Sequence, residues 1–162
     1  MFDDVKLIIS EIDGVVTNSL FAEDEIGNVL FKVFNYKDFD AINKIKSLGY
    51  KFVFLSDDNR INYNMCQRRN IPFYHGRNVD EKVNKLGIIF RKYGFSPDET
   101  LYIPSKLTDF KCVEVVANSI CPLDVSDIIK KKCPNYFNKN GGEGILVDLL
   151  SYLTNNAVIA LI

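Results

Sequence analysis

The sequence has a single histidine, which excludes any metal or catalytic site that needs two. Its four cysteines are scattered along the chain and lack the close CxxC spacing that is typical of a zinc site. No uninterrupted apolar run reaches the roughly 20 residues that cross a bilayer. The first residues, MFDDVKL, lack the basic start and apolar core of a signal peptide. We therefore expect a cytoplasmic protein with reduced cysteines and no membrane partner.

Neither sign of charge is in excess. The chain carries 20 Lys and Arg against 21 Asp and Glu, which gives a net charge of -1. This balance argues against nucleic acid and anionic membranes as partners. The one basic run, at residues 130–132, is typical of a solvated helix end. A length of 162 residues suits one domain, and we expect a single domain over residues 1–162.

Short apolar runs alternate with segments of helical periodicity. Buried parallel strands are predicted at residues 5–10, 51–55 and 101–103. Helices are predicted over residues 38–47, 59–70 and 79–93, with a closing helix after the glycines of 141–144. This alternation predicts an α/β fold, a three-layer Rossmann-like domain whose parallel sheet is covered on both faces.

The segment 18–34 breaks the alternation. Two strands around a Gly27-Asn28 turn predict a β-hairpin inserted directly after the first strand. A two-stranded ribbon is marginal in water on its own, so the apolar residues of the ribbon need cover. That cover comes either from the rest of the domain or from the same hairpin on another subunit. Apolar content on a protruding ribbon favours a subunit interface.

Polar side chains follow each predicted strand, at the edge where parallel sheets bind ligands. They are Glu11 and Asp13 after the first strand, Ser56, Asp57 and Asp58 after the second, and Ser105, Lys106 and Asp109 after the third. Lys82 lies near the start of the helix that leads to the third strand. Taken singly, each has an ordinary structural interpretation: an Asp-Gly turn, a helix cap, a solvated lysine, or a salt bridge from Lys106 to Asp58 or Asp109.

The order of these motifs resembles the haloacid dehalogenase superfamily of phosphotransferases. The resemblance is carried by EIDG after the first strand, FLSDD after the second, VDEK at the helix start and IPSKLTD after the third. With the hairpin and the tail NGGEGILVDLL, the chain is similar to the capless 3-deoxy-manno-octulosonate 8-phosphate phosphatases. It is equally similar to the C-terminal domain of animal CMP-sialic acid synthetases. The resemblance covers residues 5–152.

The resemblance implies a set of site residues. The position of Glu11 carries the family's nucleophile, an aspartate that attacks phosphorus, and Asp13 acts as acid and base. Ser56 and Lys82 hold the phosphate oxygens. The implied positions around a Mg²⁺ cofactor are Glu11, Asp13 through its carbonyl, Ser105 and Asp109. The implied substrate contacts are Lys37, Asp38, Ser56, Lys82 and Asp109.

Several of these positions depart from the family pattern. Glu11 has one methylene more than aspartate, and a misplacement of about 1 Å can cost ~10²-fold in rate. Ser105 stands where the family has a metal-binding acid, and a hydroxyl is a poor replacement for a carboxylate. The ammonium of Lys106 is expected to repel Mg²⁺ and to pair with Glu11 or Asp13. Glu143 replaces a common Arg and is expected to repel an anionic substrate.

Two functions remain open at this point. The first is a catalytically impaired relative that serves as an oligomerisation or regulatory module in nonulosonic or octulosonic acid (CMP-sugar) metabolism. It would form a homotetramer through the hairpin, need no cofactor, and have a CMP-sugar synthetase as a candidate partner. The alternative is an active Mg²⁺-dependent phosphatase for a phosphorylated 3-deoxy-2-ulosonic acid or a similar small phosphate ester.

Overall fold

The protein is described by a computed structural model that covers residues 2–159, with side chains up to residue 155. Six strands form one sheet in the order β5-β4-β1-β6-β7-β8, and every neighbouring pair is parallel. They are β1 (Leu7–Ser10), β4 (Lys51–Ser56), β5 (Phe73–His75), β6 (Thr100–Ile103), β7 (Asn118–Cys121) and β8 (Asn135–Tyr136). In the centre, Ile9 of β1 is in register with Val53 of β4 and Tyr102 of β6.

Helices cover both faces of this sheet. They are α1 (Tyr36–Ser47), α2 (Ile61–Arg68), α3 (Val79–Tyr93), α4 (Phe110–Val115), α5 (Asp127–Lys132) and α6 (Ile145–Ile159). Because successive strand residues point to opposite faces, Ile8 packs in one buried cluster with residues of α1 and α6. Ile9 packs in a second cluster with residues of α3, α4 and α5. The predicted three-layer α/β fold is confirmed.

The predicted hairpin is also confirmed. Strands β2 (Phe21–Glu23) and β3 (Val29–Lys32) pair in antiparallel fashion outside the main sheet. Its turn contains Gly27 at φ 85°, and the carboxylate of Asp24 accepts hydrogen bonds from the backbone of Ile26 and Asn28. The domain covers little of the ribbon. Six apolar side chains on or beside it are at least half exposed: Leu20, Phe21, Ile26, Leu30, Phe31 and Val33.

Local capping explains where the predicted boundaries shift. Helix α1 begins earlier than predicted because Asn35 caps it, with its side chain accepting from the backbone of Lys37. Helix α2 begins later than predicted, where Asp58 accepts from the backbone of Arg60 and Ile61, and it ends at Arg68, before Asn70 at φ 53°. Helix α3 has the predicted bounds. Strands β7 and β8 and helices α4 and α5 were not predicted, although the basic run does end α5. Within residues 2–159, no helix is long and apolar enough to cross a membrane.

Candidate active site

The strands β1, β4 and β6 lie side by side, so the polar residues that follow them meet at one edge of the sheet. Glu11 follows β1 directly, and its backbone amide donates to the carbonyl of Ile103 at the end of β6. Gly14 turns the chain away at φ 87°. A Cβ on Gly14 would lie 2.8 Å from the Cβ of Ser105, so the two loops approach each other as closely as only glycine permits.

A buried lysine stands between two buried carboxylates. The Nζ of Lys82 lies 2.6 Å from the Oε2 of Glu11 and 2.7 Å from the Oδ1 of Asp109, and all three side chains are fully buried. The second Glu11 oxygen accepts from the backbone of Ile12 at 2.9 Å. Tyr102 also donates to Asp109, at 2.7 Å. From the sequence, a solvated lysine was the ordinary structural interpretation of Lys82. In the structure it is the counter-ion of Glu11 and Asp109.

Burial governs the protonation of this triad. It raises the pKa of Glu11 to about 7, against the lowering effect of Lys82, and the charge of Asp109 raises it further. Burial acts in the opposite direction on Lys82, but the carboxylates of Asp109 and Glu11 outweigh it and raise the lysine pKa. Lys82 therefore stays charged near neutral pH, while Glu11 titrates there.

The carboxylate of Asp13 is held from several sides. Its Oδ2 lies 2.7 Å from the Nζ of Lys32 and accepts from the amide of Asn62 at 2.9 Å. Its Oδ1 accepts from Thr17 at 3.2 Å. The same Asn62 amide donates to the fully buried Ser56 hydroxyl at 3.1 Å. Helix α2 and the hairpin thus both supply side chains to Asp13.

Lys106 pairs with Asp57. Its Nζ lies 2.5 Å from an oxygen of Asp57 and 3.9 Å from Asp13. The sequence-based pairing with Asp58 or Asp109 is wrong, because Asp58 binds Lys32 instead, at 2.7 Å. Of the two partners predicted beside a lost metal, Glu11 is wrong, since Lys82 takes that place, whereas Asp13 does lie within ion-pair distance of Lys106, at 3.9 Å. The contacts between Asp109 and Lys106 use the Lys106 backbone: its amide donates to the Asp109 carboxylate at 2.8 Å, and its carbonyl accepts from the Asp109 amide at 3.0 Å.

The two remaining predicted substrate contacts lie elsewhere. Lys37 is exposed in the first turn of α1. Asp38 is buried, and one of its oxygens accepts from the backbone of Leu146 and Val147 at the start of α6, at 2.9 and 3.3 Å. Its other oxygen has no hydrogen-bond partner among the described residues. Burial raises the pKa of Asp38 to about 6. The structure therefore gives Asp38 a role in fixing α6 against α1.

No protein-family model matches the chain, but solved structures do. The cobalt-bound deoxy-D-mannose-octulosonate 8-phosphate phosphatase of Haemophilus influenzae has a TM-score of 0.86 at 20% identity, over 95% of this chain and 90% of that one. The Moraxella catarrhalis phosphatase, in complex with magnesium, phosphate and KDO, has a TM-score of 0.84 at 18% identity, over 98% of this chain and 93% of that one. The Yersinia pestis phosphatase has a TM-score of 0.82 at 19% identity, over 91% of this chain and 79% of that one. The chain has the capless haloacid dehalogenase fold.

The residues that the sequence predicted around a metal already have partners within the protein. The Ser105 hydroxyl donates to the backbone carbonyl of Asp13, so two of the predicted ligand positions satisfy each other. Both oxygens of Asp109 are taken, one by Lys82 and Tyr102 and the other by the backbone amides of the loop after β6. Within the described part of the chain, no three His, Cys, Asp or Glu residues are grouped to hold a metal ion. Mg²⁺ requires near-octahedral oxygen ligands, and this arrangement does not fit it.

Three residues of this candidate site were not predicted: Lys32, Asn62 and Tyr102. Lys32 comes from the hairpin, 19 residues from Asp13 along the chain, and Asn62 is 49 residues away. No motif links such distant positions. The one available signal is Lys32 itself, a lysine in an otherwise apolar strand.

Proposed function

We propose that the protein is a catalytically impaired subunit with the haloacid dehalogenase fold, which acts through assembly. Its role would be that of an oligomerisation or regulatory module in nonulosonic or octulosonic acid (CMP-sugar) metabolism. The observation that carries this proposal is the bond from Ser105 to the Asp13 carbonyl, with the ammonium of Lys106 beside it, 3.9 Å from the Asp13 carboxylate. A hydroxyl therefore uses the Asp13 carbonyl, and an amine lies near the Asp13 carboxylate, both at residues that the resemblance assigns to a cation site.

Accessibility supports the same proposal. Glu11, Ser56 and Lys82 are all fully buried, whereas a nucleophile and its phosphate-binding partners must reach the substrate. Phosphoryl transfer depends almost wholly on positioning and on cationic stabilisation of the phosphate oxygens. In this site Lys82 is already bonded to two carboxylates, so little of its charge is left for a substrate.

The exposed ribbon supports a role in assembly. Six apolar side chains that are at least half exposed form a patch of the kind that marks an interface with another protein. We propose a homotetramer built through this hairpin in the cytoplasm, with a CMP-sugar synthetase as the candidate partner.

Two measurements on the full chain test this function. Sedimentation velocity is expected to show a species larger than the monomer. Hydrolysis of an aryl phosphate in the presence of Mg²⁺ is expected to stay at the level of the Asp13→Asn variant. A monomer would overturn the assembly role, and turnover that disappears in Asp13→Asn would overturn the catalytic impairment.

A gain-of-function variant tests the proposed loss of metal binding directly. The combined change Glu11→Asp, Ser105→Asp and Lys106→Asp supplies carboxylates and removes the competing ammonium. Isothermal titration with Mg²⁺ is expected to give binding heat for this variant and none for the wild type. Titration heat from the wild type would contradict the proposal.

A second candidate is an active phosphatase for a phosphorylated 3-deoxy-2-ulosonic acid or a similar small ester. One observation favours it: the Lys106 side chain is 30% exposed, so it can turn outward and free Asp57. This candidate also requires Lys32 to release Asp13 and Ser105 to release the Asp13 carbonyl, so that Glu11 can attack phosphorus or orient a water molecule. The turnover assay above separates this candidate from the first.

A further inference from the structure

The hairpin touches the site through one buried ammonium group. Leu30 and Phe31, the two residues before Lys32, are 58% and 60% exposed, but the Lys32 side chain is only 4% exposed. Its Nζ lies 2.7 Å from Asp13, 2.7 Å from Asp58 and 3.2 Å from the side-chain oxygen of Asn62. A lysine on an exposed ribbon normally extends into solvent, so this three-way burial is a specific contact.

The other partners of Lys32 are themselves fixed. Asp58 uses its second oxygen to accept from the backbone of Arg60 and Ile61, at 2.8 and 3.1 Å. The Arg60 guanidinium in turn donates to the carbonyl of Val29, at the far end of β3. The loop after β4 therefore holds both ends of β3, Val29 through Arg60 and Lys32 through Asp58. Of the carboxylates that bind Lys32, only Asp13 lies in the loop after β1.

We propose that Lys32 is a positioning residue that couples the order of the hairpin to the carboxylate of Asp13. A buried ammonium that loses one of its carboxylate partners is left undercompensated. Removing the charge of Asp13 therefore loosens the hold on β3. Where the hairpin forms the subunit interface, which rests on the proposed function, the same change weakens assembly. Thermodynamic linkage makes this coupling reciprocal, so assembly through the hairpin also stabilises the contact between Lys32 and Asp13.

Hydrogen exchange on the full chain tests the coupling directly. The backbone amides of residues 21–23 and 29–32 are followed by mass spectrometry in the wild type, Asp13→Asn, Lys32→Met and the double variant. Asp13→Asn is expected to speed their exchange about tenfold, as the loss of a buried charged hydrogen bond implies. In the double variant, exchange is expected to be no faster than in Lys32→Met alone, because the path through Lys32 is already cut.

Asp57→Asn is the matched control. It removes a carboxylate from the same pocket, but its partner is Lys106, so hairpin exchange is expected to stay within about twofold of wild type. Amides of α3 in the same samples report global stability. Two results would overturn the coupling. One is a hairpin exchange rate in Asp13→Asn that equals that of the wild type. The other is a double variant in which the rate increases of Asp13→Asn and Lys32→Met multiply. If Lys32→Met does not fold, the contrast between Asp13→Asn and Asp57→Asn still decides it.

Assembly gives an independent readout. The dissociation constant from sedimentation is expected to rise about tenfold in Asp13→Asn and not to rise further when Lys32→Met is already present. If the wild type is a monomer, the proposed assembly role fails. The exchange experiment on the hairpin still stands or falls by itself, so the two failures are distinguishable.

Discussion

Replacing Lys82 by methionine tests whether this lysine is the counter-ion of two buried acids. Methionine keeps most of the volume but removes the ammonium that lies 2.6 Å from Glu11 and 2.7 Å from Asp109. Breaking a buried ion pair by removing one partner costs about 3–5 kcal/mol. Since a domain of this kind is stable by only about 5–15 kcal/mol, we expect Lys82→Met to lose a large part of its free energy of unfolding at pH 8.

The loss is expected to depend on pH. The folded-state pKa of Glu11, about 7, is above the ordinary value of 4.5. A group whose pKa is raised by folding contributes stability that is present below its unfolded value and is lost as the pH rises through the folded one. Lys82 lowers the pKa of Glu11, so without it that pKa moves higher still. The deficit of Lys82→Met relative to wild type should therefore be smaller at pH 5 than at pH 8.

Urea unfolding followed by far-ultraviolet circular dichroism, at pH 5 and pH 8, measures both effects. Lys85→Met is the control: it makes the same change on the same helix, at a lysine that forms no ion pair among the described residues. It is expected to change stability by less than about 0.5 kcal/mol. A loss below about 1 kcal/mol for Lys82→Met at pH 8 would refute the assignment of Lys82 as a buried counter-ion.

Three further predictions concern other parts of the chain. In Asp38→Asn, stability should fall less between pH 4 and pH 8 than in the wild type, since the contribution of Asp38, whose pKa is raised to about 6, is removed; unfolding at pH 4 and 8 checks this. Gly14→Ala should cost more than Gly27→Ala in the same unfolding assay. Both glycines have positive φ, and this backbone conformation alone should make Gly27→Ala cost about 1 kcal/mol. Of the two, only Gly14 also has an atom within 3 Å of the added Cβ. An equal cost would show that the contact is unimportant. Phe31→Ser, at a side chain that is 60% exposed, should shift sedimentation toward the monomer while the far-ultraviolet circular dichroism spectrum stays unchanged; an unchanged sedimentation coefficient would remove the hairpin from the interface.

The sequence was informative wherever one pattern decided the structure. The central strands were visible because they are buried on both faces and are therefore continuously apolar. Helix α3 was found with its full bounds because its apolar stripe runs between Asn78 at one end and Gly94 at the other. The segment NSIC of β7 and the two residues of β8 are too short and mixed in character for such a pattern.

The sequence predicted which strand ends meet, but not how the side chains there pair. The order of strands placed Glu11, Ser56 and Asp109 at one edge, because parallel strands end together. Whether Lys106 binds Asp57 or Asp58 depends on the path of a loop, and adjacent residues there face different partners. Lys32 was missed because its carboxylate partners lie 19 and 26 residues away in the chain, with only tertiary structure to join them.

The lysines at this sheet edge have a consequence for how the site depends on divalent ions. Lys82 and Lys106 are covalent parts of the polypeptide, so their pairing with Glu11, Asp109 and Asp57 forms as the chain folds. These contacts need no loading step, and a chelator cannot remove them.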